Sequence, residues 1–322
     1  MKQGLRTFLA GIVDYAGLFP PAELELAPAI ANYLAYRRGA ESWMLGRFVC
    51  PVGRLGALGS ALDAEGSRAE PVPVCAIARP FGTLSEIGGQ LHEDLVIMHA
   101  LHERTGGRAV VECVELRAPL QAGTSRESAR EAVDRVALQI VETGTRARGP
   151  ESPLLETYVE PANGSRLGTA VSFLVEALSG RPGLGFKLRC GGQSAESVPP
   201  TSAVAHALAA CRGRGVPFKA TAGLHHPIRH HDAGLGVMAH GFLNVFGAGL
   251  LAHAHGLAEA DLQKILEDQA AGSLVFDDDG FQWRAHQIGN EPMRKLRERW
   301  ITSFGSCSFE EPVQDLRELG LL

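Results

Sequence analysis

Short apolar runs alternate with longer amphipathic stretches along most of the chain. The short runs have the length of β-strands, and we predict seven of them, at 8–14, 43–50, 72–78, 109–116, 154–160, 184–189 and 217–221. The stretches between them have helical spacing and lie near 26–38, 52–64, 86–104, 126–143, 166–179 and 201–213. This alternation is typical of βαβ units around a parallel sheet.

The pattern after the seventh strand predicts two further helices, near 236–254 and 258–270, and a last helix at about 291–304. The eighth strand is then either 274–276 or 281–284, on the two sides of the acidic hairpin turn FDDDG. Eight βα repeats predict an α/β fold of the (β/α)8 TIM-barrel class. A doubly wound open parallel sheet is the alternative, although no G-x-G-x-x-G follows the first strand.

We expect one barrel domain over residues 1–322, with a C-terminal helix and tail at about 285–322. The mild net charge of −5 argues against a nucleic-acid partner, and no apolar run is long enough for a membrane span. Six scattered cysteines without a C-x-x-C motif predict a reduced, cytoplasmic protein. The sequence leaves open whether the chain forms a homo-oligomer.

Lysine is rare in this chain, because only five of the 31 Lys and Arg residues are lysines. Two of the five, Lys187 and Lys219, interrupt strand-like apolar runs, GFKLRCGG and VPFKATAGLHH, that end at glycine. Arginine would serve where only charge is needed, whereas a desolvated lysine amine can lose its proton and act as a nucleophile or base. We therefore predict that these two lysines take part in chemistry.

The period-two alternation of a strand places polar residues of the predicted strands on one face. These sets are Lys187 with Arg189, Lys219 with Thr221, and Glu156, Tyr158 and Glu160 together. We expect them to point into the barrel and to meet, with Asp14 from the first strand, near the carboxyl ends, where barrel enzymes hold their active sites. A structural ion-pair network, Lys187 with Glu160 or Lys219 with Glu156, is the competing interpretation.

A lysine on strand six and another on strand seven, each followed by a short stretch that ends in glycine, resembles the deoxyribose-phosphate aldolase group of class I aldolases. The resemblance implies that Lys187 forms a Schiff base and that Lys219 lowers its pKa. The strand-4 aspartate of that family has Glu112 or Glu115 as its counterpart. The segment FGSCSFEEPV, residues 304–313, resembles a stretch of uncharacterised bacterial proteins.

The leading hypothesis is an aldolase-like or lyase-like enzyme that acts on a small anionic carbonyl compound without a cofactor. Lys187 attacks the carbonyl, Lys219 tunes it electrostatically, and the resulting iminium is an electron sink. The candidate proton carriers are Glu160, Tyr158 and Asp14. The candidate substrate-binding residues are Arg189, Gly191, Gly192, Thr221, His225, His226 and Arg229.

Two alternatives remain open at this stage. One is a metal-dependent enolising or hydrolytic enzyme, in which a divalent metal ion is held by His225, His226, His230 and Glu160. The other is a non-catalytic barrel that binds an anionic metabolite. We expect Cys190 to be a small buried residue rather than a nucleophile, and we assign no role to Cys307.

Overall fold

The computed structural model describes residues 1–64, 71–120, 124–144, 155–162 and 167–322. The strands in this part of the chain are β1 (Val13–Tyr15), β2 (Leu45–Pro51), β3 (Val72–Ile77), β4 (Ala109–Ala118), β5 (Glu156–Pro161), β6 (Leu184–Arg189), β7 (Phe218–Thr221), β8 (His230–Asp232), β9 (Val237–Ala239), β10 (Leu274–Phe276), β11 (Gly280–Trp283), β12 (His286–Gly289) and β13 (Ile301–Ser306). Eight of them close a parallel barrel in the order β1-β13-β7-β6-β5-β4-β3-β2. The fold is therefore a (β/α)8 TIM barrel, as predicted.

Helices connect the barrel strands and cover their outer faces. They are α1 (Gln3–Leu9), α2 (Leu26–Arg38), α3 (Leu55–Ala64), α4 (Glu86–Arg104), α5 (Arg126–Gln139), α6 (Leu167–Leu178), α7 (Thr201–Arg214), α8 (Phe242–His255), α9 (Glu259–Glu267), α10 (Asn290–Arg299) and α11 (Glu310–Glu318). Local signals set several ends: Ser125 caps α5 by accepting from the Ser128 amide, and α7 ends at Gly215 in the left-handed region. None of these helices combines the length and the apolar character that a bilayer crossing needs.

The structure corrects the beginning of the chain. Residues 8–14 were predicted as the first strand, but α1 extends to Leu9 and only Val13–Tyr15 form β1. The helix forms because Leu5, Phe8 and Leu9 have helical spacing and are all buried on one face. The Phe8 ring packs edge-on against Phe276, with ring centroids 5.2 Å apart.

The predicted position of the eighth barrel strand was wrong. Residues 274–276 and 281–284 coincide with β10 and β11, which pair antiparallel in a separate sheet with β12. The barrel is closed instead by β13, which overlaps the predicted last helix and lies inside the predicted tail. Helix α10 runs almost directly into β13, so no glycine or proline marks the boundary in the sequence.

Of two other predictions about the second half of the chain, one is confirmed and the other has a wrong boundary. The acidic FDDDG segment does form a hairpin turn, between β10 and β11. The helix predicted from 236 begins only at Phe242, because β8 and β9 form a hairpin that precedes it. Residues 154 and 166, the first residues of one predicted strand and one predicted helix, lie outside the described residues.

The hydrophobic residues form two separate clusters. The large one lies between the barrel and its helices. The small one consists of Ala16, Val49, Cys75, Cys113 and Tyr158, on the inward faces of the strands. Because this inner cluster is small, charged side chains of the neighbouring strands share the barrel interior with it. These charged side chains define the candidate site.

Candidate active site

A cavity of about 920 Å³ opens at the carboxyl ends of the barrel strands. Its lining includes the side chains of Glu115 on β4, Glu160 on β5 and Lys187 on β6. All three are almost completely buried, with 2 to 5% of their surface exposed. Ionisable groups at this end of a barrel are in the position that barrel enzymes use for catalysis.

The Lys187 amine lies between two carboxylates at the cavity floor. Its Nζ donates a hydrogen bond to Oε2 of Glu115 at 2.6 Å. It also lies 3.0 Å from Oε2 of Glu160, which is an ion-pair distance. Apart from this contact, Glu160 Oε2 has no hydrogen-bond donor among the described residues. That oxygen therefore retains the capacity to accept a proton or a ligand donor.

Lys219 lies one strand away and deeper in the barrel. It is the register partner of Lys187 between β6 and β7, and no part of it is exposed. Its Nζ donates to Asp14 and, at 2.8 Å, to Oγ of Ser303. The same Nζ lies 3.4 Å from Oε1 of Glu115. The two amines therefore converge on opposite oxygens of one carboxylate.

The carboxylates hold both amines in the ammonium form. Burial alone would lower the pKa of Lys187, but the charges of Glu115 and Glu160 outweigh burial and raise it. Burial likewise opposes the charge on Lys219, and Asp14 leads the contacts that raise its pKa well above the usual value. The resemblance implied that Lys219 lowers the pKa of Lys187. Glu115 instead lies between the two amines, and its charge raises the pKa of Lys187.

Asp14 and Tyr158, two of the predicted proton carriers, lie below the cavity rather than in its lining. Asp14 is fully buried and also accepts from the backbone amide of Arg47 at 2.6 Å. The Tyr158 hydroxyl is 3.2 Å from Oγ1 of Thr302, and burial raises the pKa of Tyr158. The structure thus places both residues under Lys219 and leaves Glu160 as the predicted carrier that faces the cavity.

The structure contains one of the two ion pairs that the competing interpretation predicted. Lys187 does contact Glu160. Lys219 pairs with Asp14 instead of Glu156, because Glu156 lies lower in the barrel and accepts from Arg47 at 3.0 Å.

Two arginines hold the other oxygen of Glu160. Arg117 Nε donates to Glu160 Oε1 at 2.7 Å, and Arg189 Nη2 donates to the same oxygen at 3.3 Å. Both arginines line the cavity and remain partly exposed. Arg189 Nε is buried and has no acceptor within the described ranges. A ligand acceptor in the cavity would therefore satisfy a donor that the protein leaves unused.

The charges of this cluster predict a marked sensitivity to acid. Burial opposes ionisation of Glu160, but Lys187, Arg189 and Arg117 lower its pKa from 4.5 to about 2. A carboxyl whose folded pKa is depressed stabilises the fold above its unfolded pKa, and this stabilisation is lost as pH falls toward the folded pKa. We expect Glu160 alone to account for about 2 kcal/mol of the unfolding free energy lost between pH 6 and pH 3.

Denaturant unfolding across this pH range measures the effect. The Glu160→Gln protein should lose less of its unfolding free energy between pH 6 and pH 3 than the unsubstituted protein. Glu131→Gln, on the exposed face of α5, should leave the slope unchanged. Identical slopes in all three proteins would contradict the low pKa.

The strand-end loops after β6 and β7 meet at the cavity. Gly191, Gly192 and Thr221, three of the predicted substrate-binding residues, all line it. A Cβ built on Gly191 would lie 2.7 Å from Cα of Gly223, so the two loops touch backbone to backbone. Ala222 and Gly223 both have positive φ, at 58° and 69°. This turn needs glycine at Gly223 and strains Ala222.

Two histidines of the β7 loop, His225 and His226, are paired with acidic side chains of α11. His225 Nδ1 lies 2.9 Å from Glu311 and 4.0 Å from Sγ of Cys307, and these contacts raise its pKa to about 10. His226 Nδ1 lies 2.5 Å from Asp315. His225, His226 and His230 do line the cavity.

Arg229, another predicted substrate-binding residue, is not part of the described lining. Its backbone amide donates to Asn244 at the start of α8. Cys190 is 1% exposed, and burial raises its pKa to about 12, so it is the inert core residue that the sequence predicted. Cys307 lines the cavity beside His225.

The predicted metal ligands His225, His226, His230 and Glu160 are not brought into one ligand cluster. In the described part of the chain, Cys75, Cys113 and Glu115 are the one group of three whose ligand atoms lie within 4.8 Å of one another. The two cysteines of this group are buried below the cavity floor, and Cys75 Sγ donates to Glu115 Oε1 at 3.3 Å. Burial raises the pKa of Cys75 well above its usual value, which favours the thiol as a hydrogen-bond donor.

Sequence reasoning named Glu115 only as a possible counterpart, although it is the centre of the site, and it missed Arg117 and Ser303. The sequence did contain a signal for Glu115 and Arg117, because they repeat on β4 the spacing of Lys187 and Arg189 on β6. Ser303 could not be placed on a strand, since β13 was predicted as helix.

No protein-family model matches this chain, and no curated protein matches it.

Proposed function

We propose that this barrel is an enzyme that acts on a small anionic carbonyl compound through Lys187, in the manner of a Schiff-base lyase or aldolase. The observation that carries the proposal is the position of a buried lysine amine at the cavity floor, in contact with two carboxylates. A purely structural lysine would not need to face an open cavity. The TIM-barrel fold is commonly enzymatic, and this position matches its usual site.

The charge of the site supports an anionic ligand. Four cationic side chains (Lys187, Lys219, Arg117 and Arg189) face three carboxylates (Asp14, Glu115 and Glu160). The cluster therefore carries one positive charge in excess. Arg117 and Arg189 are the members with exposed surface, and the planar guanidinium is suited to carboxylate or phosphate groups.

The geometry supplies a route from the resting ammonium to a nucleophile. When a carbonyl compound displaces water from the cavity, the proton of Lys187 passes to Glu115 across the 2.6 Å hydrogen bond. In a desolvated site a neutral amine and carboxylic acid compete well with the ion pair. The amine adds to the carbonyl carbon, and the carbinolamine loses its hydroxyl as water, using the proton held by Glu115.

The resulting iminium accepts the electron pair of a bond at the adjacent carbon, so that either a C–C bond or a C–H bond breaks there. Glu160 is the base for this step, because its Oε2 faces the amine and, apart from that amine, has no donor among the described residues. Glu160 then returns its proton to the carbon of the resulting enamine, which regenerates an iminium, and water hydrolyses this iminium to the carbonyl product and the ammonium form of Lys187. Lys219, held by Asp14 and Ser303, keeps a positive charge beside Glu115 throughout.

A second candidate keeps Lys187 protonated. The raised pKa of Lys187 favours an ammonium that stabilises a developing enolate by charge, with Glu160 as the base and no covalent intermediate. Both routes use the same residues on the same class of compound. They differ in whether a bond forms between the amine and the carbonyl carbon.

Borohydride reduction separates the two routes. The protein is mixed with pyruvate or phenylpyruvate, reduced with sodium borohydride, and analysed by intact mass and peptide mapping. We expect one adduct, on Lys187, and none in the Lys187→Met protein. Lys264→Met, which removes an exposed lysine on α9, should retain the adduct. Labelling confined to surface lysines, or equal labelling of the Lys187→Met protein, would overturn the Schiff-base proposal.

A further inference from the structure

In the part formed by strands β2 to β6 and the segment after β1, the wall of the mouth cavity has two chemically different halves. The rest of the wall, from the loops after β6 and β7, from β8 and from α11, carries polar side chains that include Gln193, Thr221, His225 and Glu311. The charged half is formed by β4, β5 and β6, which contribute Glu115, Arg117, Glu160, Lys187 and Arg189. The opposite half is formed by β2, β3 and the segment after β1. It contributes Ala16, Phe19, Pro20, Pro21, Val49 and Ile77.

The boundary between the halves is sharp on one side. Ile77 on β3 is the register partner of Glu115 on β4, so an apolar side chain and the central carboxylate are direct neighbours. Val49 and Ala16 continue the apolar half around the barrel, and they belong with Phe19 and Ile77 to the small inner hydrophobic cluster. This half therefore extends from beside the reactive amine toward the cavity mouth.

We infer that the substrate is amphipathic: an oxo acid whose carboxylate lies toward Arg117 and Arg189 and whose hydrocarbon or aromatic tail lies against Phe19, Val49 and Ile77. This inference rests on the proposed function only for the carbonyl group. The two ends follow from the lining itself. A ligand that covers Phe19 and Ile77, which are only partly buried, removes apolar surface from water.

The apolar half disfavours a polyhydroxylated tail, such as that of a sugar derivative, at this end of the substrate. Hydroxyl groups directed at Phe19, Val49 and Ile77 would lose their water and find no partner among these side chains. On the opposite half, by contrast, Arg189 Nε is a buried donor that still needs an acceptor. The two halves thus select opposite properties at the two ends of one molecule.

Binding of carboxylates that lack a carbonyl tests this inference apart from the chemistry. Titration calorimetry compares 3-phenylpropanoate, propanoate and glycerate, which share one negative charge and differ in the tail. We expect 3-phenylpropanoate to bind at least about tenfold more tightly than either of the others. Equal or tighter binding of glycerate would overturn the inference, and so would the absence of measurable binding by all three.

Two substitutions locate the tail. Phe19→Ala and Ile77→Asn should each weaken binding of 3-phenylpropanoate by about tenfold or more and leave glycerate binding unchanged within about twofold. Val96→Asn, an exposed position on α4 remote from the cavity, is the matched control and should change neither. Retention of full affinity in both cavity variants would overturn the placement of the tail.

The outcomes also separate this inference from the proposed function. None of the three probes forms an imine, so a clear preference for 3-phenylpropanoate stands even if borohydride traps no adduct. In that case the Schiff-base route fails and the amphipathic site remains. An adduct on Lys187 together with equal binding of all three probes would support the Schiff-base route and overturn the amphipathic site.

Discussion

Replacement of Lys219 by methionine is expected to lower the free energy of unfolding by about 4 kcal/mol, because it leaves a buried carboxylate without its cation. Asp14 is fully buried, and its main contact is the Lys219 amine. Burial raises the pKa of Asp14, and Lys219, with Arg47, more than reverses this effect. Without Lys219, the contacts that remain to Asp14 among the described residues are the hydroxyl of Ser303, the amide of Arg47 and the charge of Arg47.

Urea or guanidinium unfolding at neutral pH measures this change. The matched control is Lys264→Met, which removes an exposed lysine paired with Asp261 within α9, and it should change stability by less than about 0.5 kcal/mol. The double variant Asp14→Asn/Lys219→Met should recover part of the loss, since it removes both charges. A Lys219→Met protein as stable as the control would mean that the buried pair contributes nothing.

Replacement of Glu115 by glutamine is expected to cost about 3 kcal/mol of the unfolding free energy. The carboxylate of Glu115 accepts from Lys187 and faces Lys219 through its other oxygen. Its loss brings two buried ammonium groups together without the charge that separates them. The cost is less than that of Lys219→Met, because Glu160 still pairs with Lys187 and Asp14 still pairs with Lys219.

The control for this variant is Glu131→Gln, which removes a carboxylate that pairs with Arg135 on the exposed face of α5. It should change the free energy of unfolding by less than about 0.5 kcal/mol. Adding Lys187→Met to Glu115→Gln should restore part of the stability, because one of the two opposed ammonium groups is removed. Full stability of Glu115→Gln alone would show that the two amines do not share this carboxylate. The same variant should also lose the borohydride adduct, since Glu115 takes the proton of Lys187.

The amino-acid sequence by itself determined the alternation of strands and helices and the inward direction of Lys187 and Lys219. Both are local properties: apolar spacing reports which face is buried, and period two places Lys187 opposite Phe186 and Leu188. The rarity of lysine then distinguished these two positions from generic charges. No knowledge of other strands was needed for these inferences.

Only the tertiary structure decided which charges meet and which strand closes the barrel. Glu115 and Asp14 are 72 and 205 residues from the amines they contact, and Ser303 lies 84 residues from Lys219. Such pairs depend on the stagger of neighbouring strands, which a local pattern does not encode. The segment of β13 follows a polar helix with no turn residue between them, and its strand character comes from pairing with β1 and β7. The pKa of Lys187 was likewise beyond the sequence, because its direction depends on whether a cation or a carboxylate lies nearest to the amine.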